Sequence, residues 1–223
     1  MTISRDQLAR MIDSTNVKAT ATRNDIEKLC KEASDYGFKC AVVNPVYVQY
    51  AATLLKGSNV KVCSTIGFPL GISLPEIKSI EAVKAVEDGA EELDMVLDLS
   101  ALKSCDYSLA KQDITAVVDI KRLCPEAIVK VIIETPSLTE DEKRTACRLA
   151  KEAHADFVKN ATGLFGGSAT VEDIRLMRKT VGKNMGVKAA GGIRTYADAV
   201  AMIEAGANRI GTSTAAQIIQ GAP

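Results

Sequence analysis

Two lysines lie inside short apolar runs of the kind that form buried strands. Lys159 ends the run Asp156-Phe157-Val158-Lys159, and Lys188 lies in Gly186-Val187-Lys188-Ala189. A buried ammonium group is costly unless it has a partner, so each lysine could simply form an ion pair with Asp94 or Glu134. If the two lysines lie close together, each cation lowers the pKa of the other, and a neutral amine becomes available to attack a carbonyl carbon.

Asp94 is a further candidate because it lies in the middle of an apolar run, Glu92-Leu93-Asp94-Met95-Val96. A carboxylate on a central strand needs a partner or a function. The two lysines can be its partners, and proton transfer is the function that a carboxylate beside an amine can serve. Lys61 and Lys130 begin their strands, so we expect them at the opposite end of the sheet as solvated surface groups.

Other kinds of catalytic site find little support in the sequence. His154 is the single histidine, and the six cysteines are scattered without a C-x-x-C pair. These counts argue against a metal site, a disulfide framework and a Ser-His or Cys-His nucleophile. We expect the cysteines to be small buried hydrophobes. His154 occupies the position where other units of the chain end a helix with glycine, so it is predicted to be a turn residue.

The elements that position these residues follow a repeating pattern of buried strand, helix start and helix end. The helix starts predicted from a hydroxyl residue followed three positions later by an acid are Thr22/Asp25, Ser73/Glu76, Thr139/Glu142, Thr170/Asp173 and Thr195/Asp198. Pro45 is predicted in the first turn of another helix. The apolar runs that predict strands are Met11–Thr15, Cys40–Val43, Val60–Ile66, Leu93–Leu99, Ile128–Ile133, Phe157–Lys159, Val187–Ala190 and Arg209–Gly211.

About eight consecutive strand–helix units, with no linker between them, predict an α/β fold with a parallel sheet. In a chain of 223 residues they fit a compact (β/α)₈ TIM barrel, with residues 1–223 as a single catalytic domain. A doubly wound open sheet is the main alternative, but no G-x-G-x-x-G follows the first strand.

The carboxyl ends of barrel strands carry the active site, and glycine-rich segments follow the last three strands. Gly191 and Gly192 follow the seventh strand. Ser213 and Thr214 follow the eighth and lead into a predicted short helix, Ala215–Ile219. Loops at this place are the usual phosphate site of such barrels. Gly163, Gly166 and Gly167 form a third glycine-rich loop.

The charge balance of the chain gives no sign of a polyanionic partner. Lys plus Arg and Asp plus Glu number 28 each, so no net field favours nucleic acid or an anionic membrane. The apolar stretches are too short to span a bilayer. The N-terminal segment lacks the apolar core of a signal peptide, and the expectation is therefore a cytoplasmic protein.

Along nearly its whole length the chain resembles the 2-deoxyribose-5-phosphate aldolases, the acetaldehyde-dependent class I aldolases that act through a Schiff base. The motifs that carry the resemblance are Ile12-Asp13-Ser14-Thr15, Val62-Cys63-Ser64-Thr65-Ile66-Gly67-Phe68-Pro69-Leu70-Gly71, Glu92-Leu93-Asp94-Met95-Val96, Val129-Lys130-Val131-Ile132-Ile133-Glu134-Thr135, Phe157-Val158-Lys159, Val187-Lys188-Ala189-Ala190-Gly191-Gly192-Ile193-Arg194-Thr195 and Arg209-Ile210-Gly211-Thr212-Ser213.

The resemblance implies a role for each matching residue. Lys159 matches the Schiff-base lysine, Lys188 the second lysine that lowers its pKa, and Asp94 the carboxylate of the proton relay. The residues matched to substrate binding are Asp13, Thr15 and Thr162. Those matched to the phosphate loops are Gly163, Gly191, Gly192, Ser213 and Thr214. The resemblance implies a sugar-phosphate substrate, no metal and no organic cofactor, and it leaves formation of a homo-oligomer open.

The implied reaction is the reversible cleavage of 2-deoxy-D-ribose 5-phosphate to D-glyceraldehyde 3-phosphate and acetaldehyde. Two alternatives remain at this point: a Schiff-base barrel aldolase that acts on a keto acid or a ketose phosphate, and an inactive barrel that only binds a sugar phosphate. The sequence departs from the family pattern at a few positions: Ser14 replaces a His, Val42 a Cys and His154 a Gly, Asp98 stands where Asn is common, and Asn160-Ala161 replaces Thr-Ser.

Overall fold

A computed structural model describes residues 2–223. Within this range eight parallel strands pair in sequence order, and β1 also pairs with β8, so the sheet closes into a barrel. The predicted TIM barrel is therefore confirmed. The strands are β1 (Ile12–Asn16), β2 (Cys40–Val43), β3 (Lys61–Ile66), β4 (Glu92–Val96), β5 (Ile128–Ile132), β6 (Phe157–Lys159), β7 (Gly186–Ala190) and β8 (Arg209–Thr212).

Helices connect the strands and cover the outside of the barrel. Most carry their buried residues on one face, as in α2, where Ile26, Leu29, Cys30 and Ala33 are buried. The helices are α1 (Arg5–Ala9), α2 (Arg23–Tyr36), α3 (Val48–Leu54), α4 (Pro75–Glu87), α5 (Leu99–Lys103), α6 (Tyr107–Val118), α7 (Glu140–Glu152), α8 (Val171–Val181), α9 (Tyr196–Glu204) and α10 (Ala215–Gln220). Short 3₁₀ turns cover Pro45–Tyr47, Asp119–Arg122 and Thr135–Ser137. None of the described helices is long and apolar enough to cross a membrane.

The predicted helix starts are correct with one exception. Thr22, Thr139, Thr170 and Thr195 each accept a hydrogen bond from the backbone N–H three residues later. The Ser73/Glu76 prediction is wrong. α4 begins one residue later, after Leu74, with Pro75 in its first turn and no side-chain cap. Proline suits this position because its missing N–H would have no partner within the helix.

The predicted turn at His154 is confirmed. His154 adopts φ 61° after the end of α7, where Gly37 adopts φ 66° after α2. Both residues supply the left-handed conformation that reverses the chain after a helix, and glycine does so without a steric cost.

The two faces of the barrel strands differ sharply in polarity. Side chains alternate along a strand, and the outward set, which includes Leu93, Met95, Val129 and Val131, packs under the helices in one apolar core. The inward set contains seven charged residues. Its charged members are Asp13, Glu92, Asp94, Lys130, Lys159, Lys188 and Arg209, all at most 5% exposed. A network of ion pairs therefore lies inside this barrel, where other barrels hold layers of branched apolar residues, next to a small apolar cluster of Cys40, Val42 and Cys63.

Candidate active site

A cleft of about 610 Å³ opens at the carboxyl ends of the strands. Segments that follow β1, β6, β7 and β8 line it, and α2 contributes Asp25, Lys28, Leu29 and Glu32 at one side. Lys159, the last residue of β6, reaches the cleft, although the residue is only 4% exposed. Of the two predicted catalytic lysines, it alone lines this cavity.

Both lysines contact the same oxygen atom of Asp94. Its Oδ2 lies 2.8 Å from the Lys159 Nζ and 2.7 Å from the Lys188 Nζ. The pairing of Lys159 with Lys188 in the β6–β7 register explains this convergence, because adjacent strands place the two side chains inside the barrel at the same level. The sequence offered two interpretations of these lysines: ion pairs with Asp94, or a close pair of amines. The structure contains both.

The site shifts the pKa values of the Lys159 and Lys188 amines in opposite directions. Burial, and then the Lys188 cation, lower the pKa of Lys159, and the opposing effect of Asp94 does not cancel them. Burial also acts to lower the pKa of Lys188, but Asp13 and Asp94 outweigh it and the pKa of Lys188 is raised. Lys159 is therefore the amine that becomes neutral, and Lys188 the one that remains a cation.

Asp94 is held as a carboxylate by three lysines. Burial acts to raise its pKa, but Lys130, Lys159 and Lys188 outweigh burial and hold the pKa well below its usual value. The Cys63 thiol also donates to Asp94 Oδ1, at 3.3 Å. An anion fixed between two amines can accept a proton from one and pass it on through small shifts in geometry.

The prediction for Lys130 is wrong. Lys130 is fully buried, and its Nζ lies 2.7 Å from Glu92 Oε2 and 2.9 Å from Asp94 Oδ1. It is the third residue of β5 and pairs with Asp94 in the register, so its side chain points into the barrel. Lys61 does begin β3, is partly exposed and contacts Glu91, as predicted. Glu134 pairs with neither catalytic lysine and instead accepts the Thr162 N–H at 2.8 Å.

Asp13 and Thr15, both predicted to bind substrate, lie at different depths. Thr15 lines the cleft and donates its hydroxyl to the backbone oxygen of Asp13. Asp13 is fully buried and does not line the cleft. Its Oδ2 forms an ion pair with the Lys188 Nζ at 2.6 Å, and its Oδ1 accepts from the Arg209 guanidinium. Asp13 is therefore a partner of Lys188 beneath the cleft, and its contact with a substrate stays a prediction.

The predicted phosphate residues come together at one wall of the cleft. Gly163, Gly191, Gly192, Ser213 and Thr214 all line it, together with Thr162. Thr212 ties two of these loops, because its hydroxyl donates to the backbone oxygen of Ile193 at 2.8 Å. The predicted short helix is present as α10, which begins directly after Thr214. Three basic residues that sequence reasoning did not assign to the site, Lys18, Lys28 and Arg194, also line the cleft.

Glycine is required at Gly192 for two reasons. Its φ of 74° is unfavourable for other residues, and a Cβ atom there would lie 2.4 Å from the Ser168 Oγ. Gly191 has φ 92°, and its Cβ would lie 3.0 Å from the Gly167 backbone oxygen. The loops after β6 and β7 therefore approach each other more closely than side chains at these glycines would permit.

One group among the described residues has the donor atoms of a metal site: Asp13, Cys40 and Glu92, within 4.8 Å of one another. Arg209 contacts both carboxylates, with its Nη2 2.8 Å from Glu92 Oε2. A guanidinium therefore already supplies the positive charge that a metal ion would bring. The expectation of buried cysteines holds for four of them, whereas Cys105 is exposed and Cys124 is partly exposed.

Comparison with known proteins gives concordant results. A family model described as DeoC/LacD family aldolase matches residues 6–221. The chain is 58% identical over 223 residues to the deoxyribose-phosphate aldolase of Thermococcus kodakarensis, with 99% of each chain covered. It is 59% identical over 217 residues to that of Thermococcus gammatolerans, with 96% of each covered. A solved structure, described as a unique tetrameric deoxyribose phosphate aldolase from Aeropyrum pernix, is 38% identical with a TM-score of 0.91, covering 97% of this chain and 91% of that one.

Proposed function

The chain belongs to the DeoC/LacD family of aldolases, and we propose that it reversibly cleaves 2-deoxy-D-ribose 5-phosphate to D-glyceraldehyde 3-phosphate and acetaldehyde through an imine on Lys159. The observation that carries this proposal is the placement of Lys159 on the floor of the cleft, bonded to the carboxylate that also binds Lys188. Among the amines of this network, Lys159 has the lowered pKa.

The first half of the reaction forms the imine. Neutral Lys159 attacks the C1 aldehyde of the open-chain sugar, and a proton passes from the nitrogen to the oxygen to give a carbinolamine. Loss of the hydroxyl as water then gives the protonated imine. Asp94 Oδ2, 2.8 Å from the Lys159 Nζ, is placed to accept the nitrogen proton, and Lys188, 2.7 Å from the same oxygen, is placed to return one through water.

The second half breaks the C2–C3 bond. A water molecule hydrogen-bonded to Asp94 and Lys188 carries the proton of the C3 hydroxyl to the Asp94 carboxylate. C3 becomes the aldehyde carbon of D-glyceraldehyde 3-phosphate, and the bonding electrons move into the imine to give an enamine. Protonation of the enamine at C2 and hydrolysis of the resulting imine release acetaldehyde and regenerate Lys159. The steps use side chains and water, and they call for no metal and no organic cofactor.

The glycine-rich wall would hold the phosphate of the substrate. Gly163, Gly191 and Gly192 permit close approach of backbone N–H groups, and Ser213 and Thr214 add hydroxyl donors. Thr15 and Thr162, on the same cleft, are the residues proposed to contact the sugar hydroxyls. Binding energy from the remote phosphate can then orient the reacting carbon over Lys159.

Residues 1–223 act as one catalytic domain in the cytoplasm, with a sugar phosphate as the small-molecule partner. A homo-oligomer is supported by the relative from Aeropyrum pernix, whose structure is described as tetrameric. Light scattering of the purified protein tests this part, and a monomer at micromolar concentration would contradict it.

A donor assay tests the proposed reaction. Glyceraldehyde 3-phosphate is offered with acetaldehyde, pyruvate or dihydroxyacetone, and formation of the aldol product is followed by mass spectrometry. We expect product with acetaldehyde and none with the other two donors. Product with pyruvate or dihydroxyacetone instead would assign the chain to another group of Schiff-base aldolases. No turnover with any donor would indicate an inactive sugar-phosphate-binding barrel.

A further inference from the structure

The ion pairs inside the barrel form a closed ring of alternating charge. Starting from Asp94, the ring passes through Lys188 to Asp13, with contacts of 2.7 and 2.6 Å. Arg209 links Asp13 to Glu92 through its Nε and Nη2, at 2.8 Å in each case. Lys130 closes the ring between Glu92 and Asp94, at 2.7 and 2.9 Å. The ring thus contains three carboxylates and three cations.

Lys159 lies outside this ring and contacts it only through Asp94, at 2.8 Å. The six ring members already balance one another, so a proton on Lys159 would leave one uncompensated positive charge in a buried site. A buried charge without a counter-charge is strongly unfavourable. The ring therefore selects Lys159, the amine that faces the cleft, as the group that loses its proton.

We propose that Arg209 and Glu92 are positioning residues of the reaction, because they close the ring on the side away from the cleft and so keep it neutral when Lys159 is uncharged. Neither residue lines the cleft. Each acts through its neighbours: Arg209 holds Asp13 against Lys188, and Glu92 holds Lys130 against Asp94. The inference rests on the proposed function, since it concerns the amine that forms the imine.

The directions of the pKa shifts agree with this assignment. Burial disfavours the charged form of every ring member, but the oppositely charged neighbours outweigh burial. The pKa of Glu92 is lowered, that of Asp13 is lowered to about 2, and those of Lys130 and Arg209 are raised. Two cysteine thiols also face the ring. The Cys63 thiol contacts Asp94 and Lys130, and burial raises the pKa of the Cys40 thiol. A neutral Cys40 leaves the balance unchanged.

The test changes the charge of the ring from its far side and measures where Lys159 loses its proton. Lys159 is trapped with acetaldehyde and cyanoborohydride, and the labelling rate is recorded against pH. Arg209→Gln removes a cation and is expected to move the midpoint to higher pH by about one unit, the effect of one charge about 10 Å away at an effective dielectric constant of about 20. Glu92→Gln removes an anion and is expected to move the midpoint to lower pH by a similar amount.

The double variant Glu92→Gln/Arg209→Gln removes one charge of each sign, and its midpoint is expected to return to the wild-type value. Arg209→Lys keeps the charge but loses the bidentate contacts and the stacking of Arg209 on Phe157, and it is also expected to keep the wild-type midpoint. The control is Lys78→Met/Asp113→Asn, which removes another fully buried ion pair outside the barrel interior. It is expected to lower stability without moving the midpoint.

The outcomes separate this inference from the proposed function. Absence of label on Lys159 in the wild type would contradict the function itself. Label in the wild type, with single variants that lose rate at an unchanged midpoint or that shift in the same direction, would overturn the role of the ring. If one single variant does not fold, the other one decides, because each has its own expected direction of shift. A shifted midpoint in the double variant or in Arg209→Lys would also contradict charge balance.

Discussion

Replacement of Lys188 by Met isolates the electrostatic effect of the second lysine on the first. The Nζ atoms of Lys159 and Lys188 contact Asp94 Oδ2 at 2.8 and 2.7 Å, so they are at most about 5.5 Å apart. At an effective dielectric constant of about 20, two unit charges at that distance repel by about 3 kcal/mol, which corresponds to about 2 pKa units. Loss of the Lys188 cation removes this repulsion, and it also leaves Asp13 and Asp94 with more uncompensated negative charge. Both effects favour protonated Lys159.

Imine formation in Lys188→Met should require a higher pH than in the wild type. Imine formation requires neutral Lys159, so its rate rises as pH increases through the pKa of this amine. Because Lys188→Met raises that pKa, we expect the midpoint of the rising limb to move to higher pH by one to two units, on the order of the repulsion removed. The assay is the pH dependence of reductive trapping with acetaldehyde and cyanoborohydride.

Lys61→Met is the matched control. It makes the same substitution at a partly exposed lysine that begins β3 and contacts Glu91. An exposed charge is screened by solvent and salt, so this variant should keep the wild-type midpoint. A midpoint that stays in place or falls in Lys188→Met would refute the assignment of Lys188 as the group that lowers the pKa of Lys159.

Asp94→Asn should reduce turnover by about 10²–10⁴-fold, the usual range for a lost acid–base group, and should move the trapping midpoint to lower pH because the anion on Lys159 is gone; full activity would remove Asp94 from the relay. Gly192→Val should lower kcat/KM for the phosphorylated sugar far more than for free deoxyribose, whereas Gly37→Ala, at another left-handed position with open space around its Cβ, should change neither; equal losses on both sugars at Gly192 would contradict phosphate binding by this loop. Lys78→Met should lower the free energy of unfolding in urea by about 3–5 kcal/mol, because it leaves the buried Asp113 without its partner; a loss below about 1 kcal/mol, the usual value of an exposed pair, would show that water reaches the site.

The fold could be predicted from the sequence because its signals are local. Strand runs such as Cys40–Val43 and Phe157–Lys159 coincide with the observed strands. Threonine caps located most helix starts, since capping depends on a few neighbouring residues. Ser73 was the exception, because proline two residues further on determines where α4 begins. Hydroxyl-to-acid spacing alone does not reveal that competition.

The site could be predicted only in part. Lys159, Lys188 and Asp94 stand out as charges within apolar runs, and the structure brings them together. Glu92, Lys130 and Arg209 also point into the barrel, but each lies near the start of a run, where a charge usually meets solvent. Their inward direction depends on the register between strands, such as Asp94 with Lys130. An alternation test over Glu92 and Asp94, two residues apart, is the signal that could have found this network.

The direct test of the central claim is identification of the residue that carries the imine. Wild-type protein is incubated with acetaldehyde and borohydride, digested and sequenced by mass spectrometry, with Lys159→Ala and Lys188→Met as companions. We expect a two-carbon unit on Lys159 in the wild type and in Lys188→Met, and neither label nor turnover in Lys159→Ala. Label on another lysine, with Lys159→Ala retaining full activity, would contradict the mechanism.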